Sequence, residues 1–287
     1  MVDFPNAKIN LGLRVTGRRT DGYHEIQTLF FPVGISDVLE IIPNHSEGTH
    51  IKVSGLVPEG DPKDNLCVKA WEVLHVEKGI QGADIYLHKR IPSGAGLGGG
   101  SSDAAFTLMM LDRLFGLSLS VEELKEYALR LGSDCPFFLH NRPMAAKGRG
   151  EILSPVPIDL SGYYLVLVIP PVHVSTREAY AQITPHEPSE PLEVTILRDL
   201  RLWKEYLVND FEESVFRTYP LLAEIKGRLY KAGAVYASLS GSGSALYGIF
   251  LTNLMCMKFQ TAIEYLLKKS AVCFGETVCF FIALKRF

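Results

Sequence analysis

The sequence predicts an α+β fold, and three observations predict it. Strand-like stretches with strict apolar–polar alternation dominate the first ninety residues. Helical patterns enter near residue 100 and then mix with strands in an irregular order, not in the one-for-one alternation of a doubly wound sheet. The longest apolar runs, YYLVLVIPP and VCFFIAL, have the length of buried strands and are too short to span a bilayer. With 287 residues, 47% hydrophobic and 21% charged, the chain has room for one large or two medium domains. A boundary is expected near residues 150 to 160, giving domains 1–155 and 156–287.

The elements follow in order. In AKINLGLRV, Ala7, Ile9, Leu11, Leu13 and Val15 point one way and Lys8, Asn10, Gly12 and Arg14 the other, as in a half-buried strand. Gly17 and Asp21-Gly22 are turn residues, and a second strand resumes near Tyr23, so an antiparallel hairpin is expected. ADIYLHKRI, residues 83–91, alternates again and runs into a glycine-rich stretch. Ser101 or Ser102 is expected to cap the helix that ends near Gly116. Ser120 and Glu123 form a capping-box pattern before VEELKEYALRL, and Asp134 stands just before Pro136, at the expected start of another helix. After the strand 163–171, the stretch HVSTREAYAQITPHEPSEP reads as loop. Helical patterns run to about residue 231. AVYASLS, GSGS and ALYGIF read as strand, turn and strand, and a final helix from residue 253 and a last strand close the chain.

Composition excludes several classes. A net charge of −3 without basic clusters argues against a nucleic-acid partner. Five cysteines, an odd number without Cys-x-x-Cys or Cys/His metal spacing, read as reduced thiols in a cytoplasmic protein. MVDFPNAK shows no basic-then-apolar leader pattern, and no membrane association is expected.

The chemistry concentrates in IPSGAGLGGGSSDAA, which holds five glycines among residues 91–105. Gly94, Gly96 and Gly99 satisfy G-x-G-x-x-G, but no acidic residue follows at the end of a second strand, so the dinucleotide reading fails. No Gly-Lys-Ser/Thr follows, so it is not a Walker A loop, and the protein-kinase triplets are absent. A strand that turns through small residues into a helix start leaves unpaired N–H donors and roughly half a positive charge at the turn. That is a phosphate cradle, in which paired serines add hydroxyls for phosphate or for a magnesium ion. A tight packing turn is the plain alternative.

PSGAGLGGGSSDAA resembles the second motif of the GHMP kinases, the family of galactokinase, homoserine kinase and mevalonate kinase. PNAKINLGLRVTGRRTDGYHEIQTLF, LGSDCPFFL and SLSGSGSALYGIF resemble further motifs, and narrow the likeness to the branch that phosphorylates a cytidine-diphosphate-linked methylerythritol for the non-mevalonate isoprenoid pathway. The resemblance is dense to about residue 140 and rests mainly on one loop after residue 160. It implies a two-domain architecture: an N-terminal domain like the second domain of ribosomal protein S5, a ferredoxin-like α+β C-terminal domain, and a cleft between them. It implies ATP and Mg2+ as cofactors, with the cradle formed by Pro92, Ser93, Gly94, Ala95, Gly96, Leu97, Gly98, Gly99, Gly100, Ser101 and Ser102, and Asn65 and Lys89 near the adenosine. Ser101 or Ser102 is the expected metal contact, since no acidic metal site is evident and magnesium sits mostly on phosphates and water.

The resemblance also makes Lys8 and Asp134 catalytic. By itself Lys8 reads as a solvated lysine on a polar strand face, and Asp134 as an ordinary N-cap. With the resemblance, Lys8 stabilises transition-state charge and Asp134 accepts the substrate proton. Tyr23 and His24 are implied to meet the cytosine, one by stacking and one by hydrogen bonding, with Tyr180 as a second aromatic face. Asn10 shares the face of Lys8. Gly241, Ser242 and Gly243 offer N–H groups to a diphosphate, or are a plain hairpin turn, and Arg18 and Arg19 read as solvated tip residues. A small-molecule partner and a monomer or weak homodimer are expected. Another GHMP-family alcohol kinase of the mevalonate or homoserine type, a catalytically silent ligand sensor on the same fold, and a Rossmann oxidoreductase are the rival readings. The absent galactokinase-type stretch, the paired Lys8 and Asp134, and the failed dinucleotide context argue against a galactose kinase, the sensor and the oxidoreductase respectively.

Overall fold

The computed structural model describes residues 1–46, 48–58, 60–252 and 278–283. The helix expected from residue 253, Cys256 and Cys273 lie outside the described residues. The strands are β1 (Val2–Asp3), β2 (Asn6–Arg18), β3 (His24–Ser36), β4 (Val38–Pro43), β5 (Thr49–Gly55), β6 (Ala83–Lys89), β7 (Met144–Lys147), β8 (Ile152–Pro155), β9 (Tyr164–Ile169), β10 (Tyr236–Leu239), β11 (Leu246–Phe250) and β12 (Val278–Ala283). The α-helices are α1 (Leu66–Lys78), α2 (Gly99–Phe115), α3 (Val121–Leu131), α4 (Cys135–His140), α5 (Thr176–Ala181), α6 (Leu192–Thr195), α7 (Trp203–Tyr206), α8 (Phe211–Thr218) and α9 (Pro220–Lys231). Irregularly mixed helix and sheet make the chain α+β, as its sequence predicts.

Two compact units emerge from the packing. The first comprises Met1–Lys8, Gly34–Ser93 and Gly98–Arg142; the second comprises Ile9–Val33, Gly94–Leu97 and the chain from Pro143.

In the first unit, a sheet of order β1-β4-β6-β5 is antiparallel except for the parallel pair β5–β6. Leu39, Ile41, Ile85 and Leu87 alternate with polar or exposed neighbours and form its buried side. Helix α2 packs against α1, α3, α4 and β4. A helix touched on so many sides must be apolar nearly all round, and Ala104, Ala105, Leu108, Met110 and Leu111 are all buried. The Ser120/Glu123 capping box opens α3 with both of its hydrogen bonds, and Gly116 in the left-handed region closes α2. The serine cap expected for α2 is not what forms. Gly98 (φ 69°) caps it without a side-chain bond, and Ser101 and Ser102 fall inside the first turn, because the glycine turn carries the chain into the helix three residues early.

In the second unit, one sheet runs β2-β3-β7-β8 and another β10-β11-β9-β12. One core joins them: Leu13, Val15 and Ile26 pack with Val166, Val168, Leu239 and Leu246, and with Phe211, Val215, Leu222, Ile225 and Leu229 from α8 and α9. Strand β2 is tied in by its backbone, since Leu13 N donates to Val208 O at 2.9 Å and Asp210 N to Leu13 O at 2.9 Å. The stretch expected as loop after residue 172 contains α5, six residues capped by Ser175, whose Oγ accepts from Glu178 N. A helix that short carries too few turns to show a period.

Strand β2 differs from the half-buried strand expected. Its polar side is enclosed too: Lys8, Asn10 and Arg14 are all buried. Arg14 is tied down within the second unit, donating to Glu190 O at 2.5 Å and to Thr195 Oγ1 at 3.2 Å. Buried polar groups are tolerated because they are hydrogen-bonded.

Candidate active site

The glycine-rich stretch is a loop pinned at both faces. Ala95 and Leu97 are buried anchors, while Gly94, Gly96 and Gly98 adopt φ of 70°, 79° and 69°, the left-handed region in which a side chain is strained. At Gly96 a Cβ would stand 2.0 Å from Ser240 O. The GSGS hairpin grips this part of the loop: Ser240 Oγ donates to Gly96 O at 2.8 Å, and Ala245 N donates to Ala95 O at 3.1 Å. Pro92 follows Ile91 at the exit of β6, and Gly99 sits so close to Ile91 that a Cβ would come within 2.8 Å of its Cγ2. The first-turn amides of α2 thus meet no capping side chain.

Beside this helix start, the first unit holds a cavity of about 390 Å³. Val53, Val57 and Leu66 give it apolar walls, and Asn65, Ser93 and Gly100 also line it. Asn65 caps α1, its Oδ1 accepting from Cys67 N at 2.9 Å. Lys89 lines the same cavity but is not a surface lysine. It is buried between two buried carboxylates, with Nζ bonded to Asp37 and 2.6 Å from Asp103 Oδ2. Burial pulls the ammonium's pKa down, but Asp103 and Asp37 more than offset this and raise it. Burial and the charge of Asp37 push Asp103 up to about 7 against the pull of Lys89. Asp37 also accepts from the backbone N–H of Arg90 and of Ile91, fixing the chain where β6 becomes the loop.

Lys8 and Asp134 meet. Lys8 Nζ stands 3.4 Å from Asp134 Oδ2, with the lysine side chain 4% and the aspartate 32% exposed. Asp134 occupies the N-cap position of α4 but makes no side-chain cap bond, so the plain capping reading is set aside. The solvated-lysine reading of Lys8 is set aside as well. Desolvation lowers the Lys8 pKa, and Asp134 opposes that shift by charge and by hydrogen bond. The glycine loop reaches this pair within the same unit, since a Cβ on Gly98 would lie 3.1 Å from Lys8 Cγ. Ser101 is on the same side, its Oγ 3.8 Å from where a Cβ on Gly132 would be.

The second unit carries the other predicted residues. Tyr23 is exposed, with the Arg149 guanidinium 4.8 Å above its ring. His24 stacks on Tyr180 at 4.6 Å and 20°, and Tyr180 meets Phe211 edge-on at 4.8 Å. Burial and the nearby Arg18 lower the His24 pKa, and its buried Nε2 has no protein partner among the described residues. Asn10 Nδ2 donates to Thr28 Oγ1 at 2.9 Å, and Asn10 N donates to Ser240 Oγ at 3.3 Å. Gly241 and Gly243 have φ of 57° and 94°. Their turn is braced by Asn209, whose Nδ2 donates to Leu239 O and Gly241 O at 2.9 Å each, and by Ser242 Oγ, 3.2 Å from Thr176 Oγ1. Arg19 at the hairpin tip pairs with Asp21 and Glu25.

These residues fit a nucleoside triphosphate: uncapped amides lie beside a cavity whose apolar walls suit a base. For a magnesium ion, no cluster of three His, Cys, Asp or Glu exists among the described residues. Ser102 is wholly buried and its Oγ unpartnered, whereas Ser101 is half-buried. That set fits a cation carried on phosphates and water, with at most one serine contact.

Sequence reasoning missed Asp37, Asp103, Thr28 and Asn209. Asp103, directly after the paired serines, was the one with a signal, because an acid in the first turns of an otherwise buried helix needs a cationic partner.

Comparisons with known proteins place the chain in a family. The family model described as GHMP kinases N terminal domain matches residues 65–142, and GHMP kinases C terminal matches residues 192–253. A 4-diphosphocytidyl-2-C-methyl-D-erythritol kinase of Bacteroides thetaiotaomicron is 49% identical over 271 residues, covering 90% of this chain and 99% of that protein. Its counterpart in Bacteroides fragilis is 53% identical over 252 residues, 87% of this chain and 92% of that one. The crystal structure of a 4-(cytidine 5'-diphospho)-2C-methyl-D-erythritol kinase superposes with a TM-score of 0.81 at 33% identity, covering 99% of this chain and 100% of that one. A homoserine kinase from Cytophaga hutchinsonii, 19% identical with a TM-score of 0.72 over 97% of this chain and 95% of that one, shares the fold. With a two-unit α+β frame, a glycine loop at a helix start and relatives of such identity along nearly their whole length, the chain belongs to the 4-diphosphocytidyl-2-C-methyl-D-erythritol kinase family, within the GHMP kinases.

Proposed function

We propose that the chain transfers the γ-phosphoryl group of ATP to the C2 hydroxyl of 4-diphosphocytidyl-2-C-methyl-D-erythritol, in the non-mevalonate route to isoprenoids. It is an ATP-dependent phosphotransferase with an alcohol acceptor. The observation that carries the reading is the Lys8–Asp134 pair at 3.4 Å, with Gly98 of the phosphate loop packed on the lysine stem. In-line phosphoryl transfer asks little covalent chemistry of a protein. It asks for positioning, charge stabilisation and a place for one proton.

The residues divide accordingly. The loop Pro92–Ser102 donates amides to the phosphates, with Asn65 and the Lys89 wall at the adenosine. Asp134 accepts the proton of the acceptor hydroxyl as its oxygen attacks phosphorus. The Lys8 ammonium orients that oxygen and stabilises the charge that develops. Mg2+, when bound, would neutralise charge on the transferring phosphates, and Ser101, half-buried where Ser102 is wholly buried, is the serine proposed to hold it. Tyr23 and His24 recognise cytosine, with Tyr180 supporting the histidine, and Asn10 and Gly241–Gly243 bind the rest of the substrate. His24, kept neutral by its lowered pKa, can both donate and accept at a base edge.

The functional division runs 1–155 and 156–287, and the two family-model matches fall one in each part. No described helix is long and apolar enough to cross a membrane. Independently of that, the proposed setting is a cytoplasmic enzyme acting on a small molecule, as a monomer or weak homodimer, and a net charge of −3 without a basic excess supports the lack of a nucleic-acid partner. The test is ATP consumption by purified protein with the cytidine substrate, set against mevalonate, homoserine and galactose. Turnover with one of the other alcohols and none with the cytidine compound refutes the assignment.

A further inference from the structure

Tyr23 is 56% exposed, yet its backbone is held on both sides. Its N–H donates to Asp21 Oδ1 at 3.1 Å, and its carbonyl accepts from Arg19 N at 2.8 Å. What such a residue keeps free is the rotation of its ring. The Arg149 guanidinium bears on that ring, 4.8 Å from its centroid and well inside the range of a cation–π contact. Arg149 stands in the turn between β7 and β8, and that turn is fastened to the start of β3. Ile26 N donates to Gly148 O at 2.8 Å, Gly148 N donates to Glu25 Oε1 at 3.0 Å, and Arg149 N donates to the Glu151 carboxylate. The other oxygen of Glu25 accepts from Arg19 Nη1 at 2.9 Å, so one carboxylate ties the turn to the hairpin tip. Both acids of the tip, Asp21 and Glu25, pair with Arg19. The Arg149 Nε is buried with no hydrogen-bond partner among the described residues. The ring and the anchored backbone are therefore what hold this guanidinium in place.

We infer that Arg149 is a positioning residue for cytosine recognition, which covers one face of the Tyr23 ring and holds the ring so that its opposite face is offered to the base. A ring that rotates freely must be ordered when a base stacks on it, and that ordering opposes binding. A cation resting on one face removes part of the cost before the substrate arrives. It also leaves one face for stacking, which fixes the side from which the cytosine comes. Arg149 acts through Tyr23 and touches no part of the substrate. The inference rests on the reading of Tyr23 as the stacking partner of the cytosine.

Dissociation constants for 4-diphosphocytidyl-2-C-methyl-D-erythritol, measured on Arg149→Met, Tyr23→Ala and the double variant, test it. Methionine keeps an unbranched stem and removes the charge. In the wild-type background it should weaken binding of the cytidine compound by about two- to fivefold, the worth of an exposed cation–π contact, with ATP affinity unchanged. In the Tyr23→Ala background there is no ring to hold, so the same substitution should cost nothing further. Equal losses in the two backgrounds mean that Arg149 meets the substrate itself, and overturn the inference. Wild-type affinity in Arg149→Met, or a matching loss of ATP affinity, overturns it too. Arg149→Leu, also uncharged, should follow the same pattern and decides the matter if the methionine variant does not fold. Tyr23→Ala that binds the cytidine compound like wild type refutes the stacking reading instead, and the inference falls with it.

Discussion

Lys8 Nζ and Asp134 Oδ2 stand 3.4 Å apart, the lysine enclosed and the carboxylate about one-third open. Such an arrangement leaves the acid reachable by a substrate while its cation stays dry. Replacing Asp134 by alanine should lower kcat by roughly 10²- to 10⁴-fold, the usual worth of a positioned base. KM for ATP, set by the loop and cavity, should barely move. Steady-state kinetics check this, and a near-wild-type kcat removes Asp134 from the proton's path.

The same pair sets an alkaline limit. Burial holds the Lys8 pKa below 10.5. Activity that needs the ammonium should therefore fall on an alkaline limb that begins below the ordinary lysine value. The sign for stability is opposite. Below 10.5 the unfolded chain binds the proton more readily than the folded one, so the lysine's contribution to stability rises with pH across that window. A kcat/KM profile whose alkaline limb lies at or above 10.5 would falsify the role given to Lys8.

The Asp37–Lys89–Asp103 cluster makes a separate pH prediction. Asp103 is raised from 3.8 to about 7, so the folded state holds a proton that the unfolded chain has released. Its stabilising contribution is full below pH 3.8 and is lost as pH rises toward about 7. Asp103→Asn should flatten the fall of the urea midpoint over that window. Lys89→Met, which leaves two buried carboxylates facing each other, should cost roughly 3–5 kcal/mol. Identical pH slopes in wild type and Asp103→Asn would show that Asp103 does not titrate there.

Two glycines of the loop should behave oppositely. Gly96→Ala meets a left-handed φ and a carbonyl oxygen 2.0 Å from the new Cβ. It should lose about 1–3 kcal/mol from strain alone, and more from the clash. Gly100→Ala finds its nearest neighbour, Leu66 Cδ1, at 3.8 Å and lines the cavity. It should melt like wild type yet raise KM for ATP. Thermal melts paired with ATP titration separate the two, and an unchanged KM in Gly100→Ala would place the nucleotide elsewhere.

Tyr23 and Tyr180 should separate as well. Tyr23 is exposed, so alanine there should leave the melt alone and weaken binding of the cytidine compound by roughly 1–3 kcal/mol if the ring stacks on the base. Tyr180 packs on His24 and Phe211, so its alanine variant should lose both stability and affinity. Calorimetric titration reads both, and unchanged affinity in Tyr23→Ala clears the cytosine from that ring.

Local signals carried much of the fold. The capping box at Ser120 and Glu123, the strand within YYLVLVIPP and the hairpin around GSGS all form where spacing and turn chemistry place them. The failures share a cause. Ser101 and Ser102 looked like caps because a cap is normally a side chain, but Gly98 reverses the chain by its backbone alone. Helix α5 reads as loop in the sequence because six residues show no period. Asp37 gave no sign of itself because the lysine it meets is 52 residues away.

The sequence by itself determined that the chain is α+β, that a strand ends in a phosphate-type loop at a helix start, and which lysine, aspartate and aromatics to watch. Periodicity, turn residues and motif spacing are properties of neighbours in the chain, so they survive in a string of letters. Only the tertiary structure decided that Lys8 is dry and faces Asp134, that Asp134 does not cap its helix, that Lys89 is held between two carboxylates, and that Asn10 is buried with its amide on Thr28. Those properties depend on desolvation and on partners distant in sequence. An ionisable or amide group takes its charge and direction from what surrounds it in space.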